Sequence, residues 1–385
     1  MSYQLKTRFE AKQPKKILAL DGGGIRGALA LGYLTEIERI LRERYQNPDY
    51  RLSEYFDLIG GTSTGSIIAG CLAVGMSVED IKERYFELGA TIFGKSNFLG
   101  ALTGAKFSPK ALEEGLQQTF GEIKLGDEVV KTGLCVFAKR VDTQSLWTLN
   151  NNPNFPYYEY NKKIKLWAAI RASAAAPTFF RPVPIKAGSE EDEAIVEGIF
   201  TDGGISPANN PALWLLMMAR ISAYGYKWEA GPEDIMVVSV GTGKAVTKFD
   251  LKDVKDWNTL NWATAIPNMM LSDSTQYNEI IMQMISTSPT PQRFDRVMED
   301  LSEEFLGAEP LCSYSRYNTF LDKETLSALD SKYATMSEKK VEDIVDFTKG
   351  ENARELYHIG HLAAKQEVRP EHFPPVFDTI SQLKM

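Results

Sequence analysis

The sequence predicts an α/β fold with a mostly parallel central sheet flanked by helices, and three observations lead there. A short apolar run passes through a glycine turn into a helical pattern at 16–45, and the same order recurs at 56–74. Strand-like segments follow at 134–141, 145–149, 194–200 and 235–240, alternating with helical ones at 164–175 and 210–222. Strands that alternate with helices imply crossover connections, and crossovers make parallel neighbours.

The first unit starts at Lys16, Ile17, Leu18, Ala19 and Leu20, an apolar run that ends in Asp21, Gly22, Gly23 and Gly24. From 27 to about 45, Leu29, Tyr33, Ile37 and Leu41 recur every four residues, as one face of an amphipathic helix does. In the second unit Phe56, Asp57, Leu58 and Ile59 lead through residues 60–65 into an apolar helix over 66–74. Ser77 opens another helix to about 88, and Ser108 with Pro109 supplies a cap and a first-turn proline for a helix over 110–120. Between them, 93–107 is rich in Gly, Phe and Leu and reads as a flap or as a loop tucked onto the core. Beyond Lys244 the texture changes to charged amphipathic fragments with no strand running into a glycine turn. The chain is accordingly divided into a core at 14–245 and a mainly helical extension at 246–385 packed on it.

Composition excludes some classes. With 385 residues and 43% apolar content the chain can bury a large core. A net charge of −8 argues against broad adhesion to nucleic acid polymers, which reward excess Lys and Arg. The cysteines Cys71, Cys135 and Cys312 are odd in number and widely spaced, which suits reduced thiols and a cytoplasmic setting. The first sixteen residues lack the apolar stretch of a secretory signal, and no segment approaches the roughly 20 apolar residues of a membrane span.

Three glycine turns carry chemical promise. Gly61, Thr62, Ser63, Thr64 and Gly65 fit G-x-S-x-G, in which a sharp strand-to-helix turn exposes a serine hydroxyl at the positive end of a helix. Gly22, Gly23 and Gly24 leave backbone amides unobstructed, as an oxyanion hole or a phosphate cradle requires. No P-loop Gly-Lys-Ser/Thr ending is present: Gly241, Thr242, Gly243 and Lys244 come nearest, and Ala245 follows. Arg26 reads as a residue that holds this loop or pairs with a carboxylate. Asp202, followed by Gly203 and Gly204, is the third turn. A serine needs a base, and the three histidines, His358, His361 and His372, all lie near the end of the chain, the first two in a charged helical segment over 351–366. That favours Asp202 as the base and leaves a Ser-His-Asp esterase and a nucleotide-binding α/β module as rival readings.

Taken in order, Asp-Gly-Gly-Gly-Ile-Arg-Gly at 21–27, Gly-Thr-Ser-Thr-Gly at 61–65, Arg-Ala-Ser-Ala-Ala-Ala-Pro-Thr-Phe-Phe at 171–180 and Asp-Gly-Gly at 202–204 resemble the signature set of patatin-like phospholipases. The resemblance covers roughly 14–245. It implies a three-layer patatin-like fold and a Ser63–Asp202 dyad, with Gly22, Gly23 and Gly24 as the oxyanion hole and Arg26, Gly61, Gly65, Gly203 and Gly204 as supporting motif residues. It also implies no metal or organic cofactor, and phospholipase A-type hydrolysis of fatty-acyl esters by a protein acting peripherally on membrane lipid. Likeness to bacterial stand-alone members admits a cyclic oligonucleotide activator in antiphage defence and a homo-oligomeric assembly. An apolar mouth is expected at 92–102, and 257–270, rich in Trp and Met, reads as core or partner contact.

Overall fold

The structure, a computed structural model, describes residues 3–93, 109–187, 196–244 and 251–378. Beyond Phe93, the segment expected to form a flap or apolar mouth lies outside them. Among the described residues there are nine strands: β1 (Lys15–Leu20), β2 (Leu58–Thr62), β3 (Gly133–Arg140), β4 (Ser145–Asn150), β5 (Val183–Ala187), β6 (Val196–Asp202), β7 (Ile235–Val240), β8 (Ser286–Thr287) and β9 (Cys312–Tyr317). All belong to one sheet. β1 runs parallel to β2 and β7, β2 to β3, and β9 to β7 and β8. Among these strands, antiparallel pairing is confined to β3 with β4, β3 with β6, and β5 with β6. The sheet is therefore mostly parallel, as expected.

Alternation along the central strands separates two apolar layers. Ile17 and Ala19 of β1 and Ile235 and Val237 of β7 face one cluster, which includes the helices Tyr3–Glu10 and Ala212–Arg220. Leu18, Leu20, Met236, Val238 and Val240 face the other, which includes the helices Gly27–Arg44, Thr64–Ala73 and Ala353–Glu367. Successive side chains of a strand point to opposite faces, so a run that is apolar throughout must be covered on both sides. Helix, sheet and helix make three layers.

Residues 251–378 are rich in helix, and they also complete the sheet. β9 lies against β7, and β8 lies outside β9. The sequence Cys-Ser-Tyr-Ser-Arg-Tyr hides this strand because Ser315 and Arg316 look like surface residues, yet both are buried. The reading of 257–270 as core also needs correction. This stretch enters the helix Thr259–Met284, which leaves Leu260, Trp262, Ile266 and Met270 exposed and buries Ala265. All three cysteines are free and buried. Among the described residues, no helix is long and apolar enough to cross a membrane.

Candidate active site

Ser63 sits at the junction of β2 and the Thr64–Ala73 helix with φ +54° and ψ −125°. A non-glycine residue held at positive φ carries strain of about 1–3 kcal/mol, which the surroundings must offset. They do so from both sides of the peptide. The Ser63 amide donates to Ser173 Oγ at 2.9 Å, whose hydroxyl in turn donates to the Phe137 carbonyl at 2.6 Å. The Ser63 carbonyl accepts from the Ser66 amide at 2.9 Å and the Ser66 hydroxyl at 2.6 Å. Glycine is required on each side of the bend. A Cβ at Gly61 would lie 2.2 Å from the Gly65 carbonyl oxygen, and one at Gly65 would lie 2.2 Å from that of Leu20.

Strand register brings Asp202 to this serine across 139 residues of sequence. β4 covers one edge of β3 from Cys135 to Arg140. On the other edge β2 arrives in parallel, with Thr62 opposite Phe137, and β6 returns antiparallel, with Asp202 opposite Ala138. The carboxyl ends of β2 and β6 thus meet head to head at adjacent positions of a single strand. Ser63 Oγ donates to Asp202 Oδ2 at 2.6 Å, and the Gly204 amide donates to Asp202 Oδ1 at 2.7 Å. Burial pushes the Asp202 carboxyl up to about 6, against the opposing pull of its bonds from Ser63 and Gly204. A carboxylate desolvated in this way is a stronger base than an exposed one. Gly203 packs where a Cβ would meet the Phe137 carbonyl at 2.3 Å, which keeps the turn close to β3.

The glycine loop lies beside Ser63: a Cβ at Gly22 would be 3.1 Å from the Ser63 Cβ. Its three amides differ. That of Gly22 donates to the Asn209 carbonyl at 3.1 Å, whereas no acceptor among the described residues takes those of Gly23 and Gly24. Thr242 Oγ1 donates to the Gly22 carbonyl at 3.1 Å and stands 2.1 Å from where a Gly23 Cβ would be. Gly24, at φ +58°, has its carbonyl held by Tyr85 OH at 2.7 Å. Arg26 is half-buried; its guanidinium lies over the Phe347 ring, 5.7 Å from the centroid, and its Nε has no hydrogen-bond partner. Burial lowers its pKa to about 10.

Beneath the loop, Asp21 is held by a residue that sequence reasoning missed. Arg316 of β9 donates to Asp21 Oδ1 at 3.0 Å and Oδ2 at 2.6 Å, and to Glu279 Oε1 at 2.8 Å. Lys244 pairs with Glu279 Oε2 at 2.8 Å. Two acids and two bases balance, and the two-pronged geometry suits a buried guanidinium. Ser173, Asn209 and Thr242 were likewise missed as site residues. For Thr242 the signal was present, because a Gly-Thr-Gly turn directly follows an apolar strand.

Ser63 opens into a narrow cavity of about 80 Å³ lined by Gly24, Ile67, Leu112, Phe179, Phe180 and Phe347, among others. A larger groove of about 800 Å³, lined by charged residues including Glu36, Arg39, Arg42 and Lys365, shares none of the described residues with it. The histidines are engaged elsewhere. His358 faces Asp330 at 3.5 Å, His361 stacks on Tyr357, and His372 Nδ1 bonds Tyr317 OH at 2.9 Å. None bonds Ser63 or Asp202.

A family model described as patatin-like phospholipase matches residues 18–216. Patatin-T5 of Solanum tuberosum is 28% identical over 281 residues, covering 67% of this chain and 69% of its own. Patatin-17 of Solanum cardiophyllum is 28% identical over 269 residues, covering 66% and 67%. Among solved structures, that of VipD from Legionella pneumophila aligns over 90% of this chain and 67% of its own, with a TM-score of 0.32 and 14% identity.

Proposed function

The chain belongs to the patatin-like phospholipase family, and from that premise we propose that it hydrolyses fatty-acyl esters of glycerophospholipids through a Ser63–Asp202 dyad. The observation that carries the reading is the 2.6 Å hydrogen bond from the Ser63 hydroxyl to a buried carboxylate at the end of a neighbouring strand. Family membership supports lipid acyl hydrolysis, and the dyad is the finer step taken here.

In the acylation step Ser63 Oγ attacks the ester carbonyl while its proton passes to Asp202 Oδ2. The oxyanion so formed faces the Gly23 and Gly24 amides, and the amino end of the Thr64–Ala73 helix adds its positive potential. Asp202 returns the proton to the departing lipid alcohol, leaving the acyl group on Ser63. Water then attacks the acyl-enzyme, giving its proton to Asp202, and a fatty acid departs as the serine recovers its hydrogen. The apolar pocket beside Ser63 suits an acyl chain. Substrate of this kind is met at a membrane surface, approached from the aqueous side.

The test is hydrolysis of mixed phospholipid vesicles followed by lipid mass spectrometry. Wild type should release free fatty acid and the matching lysophospholipid, and Ser63→Ala should release neither. Equal release by both proteins would remove Ser63 from the chemistry.

A further inference from the structure

We propose that Phe347 determines the length of acyl chain the pocket accepts, an inference that rests on Ser63 being the nucleophile. Phe347 lies beyond the family-matched region at 18–216, yet it forms part of the catalytic pocket. Its carbonyl accepts the Ile25 amide at 3.1 Å, immediately after the glycine loop. A Cβ at Gly24 would stand 2.7 Å from that carbonyl oxygen and 3.1 Å from the Phe347 ring. The ring meets Phe179 edge-on at 5.7 Å and lies under the Arg26 guanidinium. Phe347 therefore covers the pocket on the side of the glycine loop, with 37% of its surface in solvent.

Size makes this placement consequential. Pockets for small ligands usually run to about 300–1,000 Å³, and the cavity at Ser63 is about 80 Å³. A few carbons fit, and a longer chain must displace a wall. Ile67, Leu112 and Phe180 are buried in the main apolar cluster, where close packing resists movement. Phe347 is exposed and follows the Glu338–Val345 helix, which buries only Val341 and Ile344. It is the wall that yields at least cost, and its bulk sets the chain length accepted at rest.

The experiment compares kcat/KM for p-nitrophenyl decanoate and p-nitrophenyl butyrate in wild type, Phe347→Ala, Phe347→Leu and Phe347→Trp. Labelling by a short-chain alkyl fluorophosphonate is measured in parallel. Phe347→Ala should raise the decanoate-to-butyrate ratio by about 10-fold or more, the usual effect of admitting even one further methylene to an apolar pocket. Phe347→Trp should lower it. Phe347→Leu, which shortens the ring's reach and keeps most of its packing, should raise the ratio by less and stands in if the alanine variant does not fold. Labelled wild type with one ratio across all folded variants would overturn the role of Phe347 and leave the nucleophile standing. Wild type that is neither labelled nor active on butyrate would overturn both.

Discussion

Replacing Asp202 by Asn should give a protein that is inactive and more stable than wild type at neutral pH. The carboxyl's rise from 3.8 to about 6 comes mainly from burial. At about 1.36 kcal/mol per pH unit it amounts to about 3 kcal/mol of destabilisation once the group is ionised. A folded-state pKa raised above the unfolded value gives stability that is fully present below 3.8 and is lost as pH rises through about 6. Catalysis requires the opposite form, since only the ionised carboxylate can take the serine proton. Wild-type kcat/KM should therefore fall about 10-fold between pH 8 and pH 5. The neutral amide has no such titration. It still accepts from the Gly204 amide through Oδ1 but presents an N–H to Ser63 in place of an acceptor. In chemical denaturation the stability gap in favour of Asp202→Asn should widen by about 1.4 kcal/mol between pH 5 and pH 8. An asparagine variant that keeps activity, or that is less stable than wild type at pH 8, would refute the reasoning, as would a rate independent of pH over this range.

Other expectations follow from individual contacts. Substituting His358, His361 or His372 by Ala should leave ester hydrolysis in place, as measured on folded protein; a dead, folded histidine variant would restore the triad reading. Gly23→Ala should cut kcat by about 10² to 10³, because its Cβ would collide with Thr242 and move an amide that faces the oxyanion. Arg316→Met should cost about 3–5 kcal/mol in denaturant unfolding, since it leaves Asp21 and Glu279 buried without their shared cation.

How far the sequence could be read depended on whether a feature was local. β1 and β2 stand out because each is an apolar run stopped by glycine, and the helix after 27 shows a four-residue repeat that only one periodicity fits. Ser63 and Asp202 were legible as residue types at the ends of strands, and the order of motifs identified the family. Their meeting was not legible, because it depends on the register of β2 and β6 along one edge of β3. β9 escaped because the partners that make Arg316 tolerable inside are far off in sequence: Asp21 lies 295 positions away and Glu279 37. Phe347 sits among Asp343, Asp346 and Lys349, in a stretch whose charge suggests solvent. The 257–270 segment misled in the other direction, since Trp and Met usually pack inside and here Trp262 and Met270 are exposed. The glycine loop reads in the sequence as three bare amides, whereas in the structure the Gly22 amide is engaged by the Asn209 carbonyl.

The most direct test of the account is to map by peptide mass spectrometry the adduct formed with a short-chain alkyl fluorophosphonate. The mass should fall on Ser63 in wild type and be absent from Asp202→Asn, whose serine has lost its base. An adduct on another residue, or equally rapid labelling of Ser63 without the carboxylate, would contradict it.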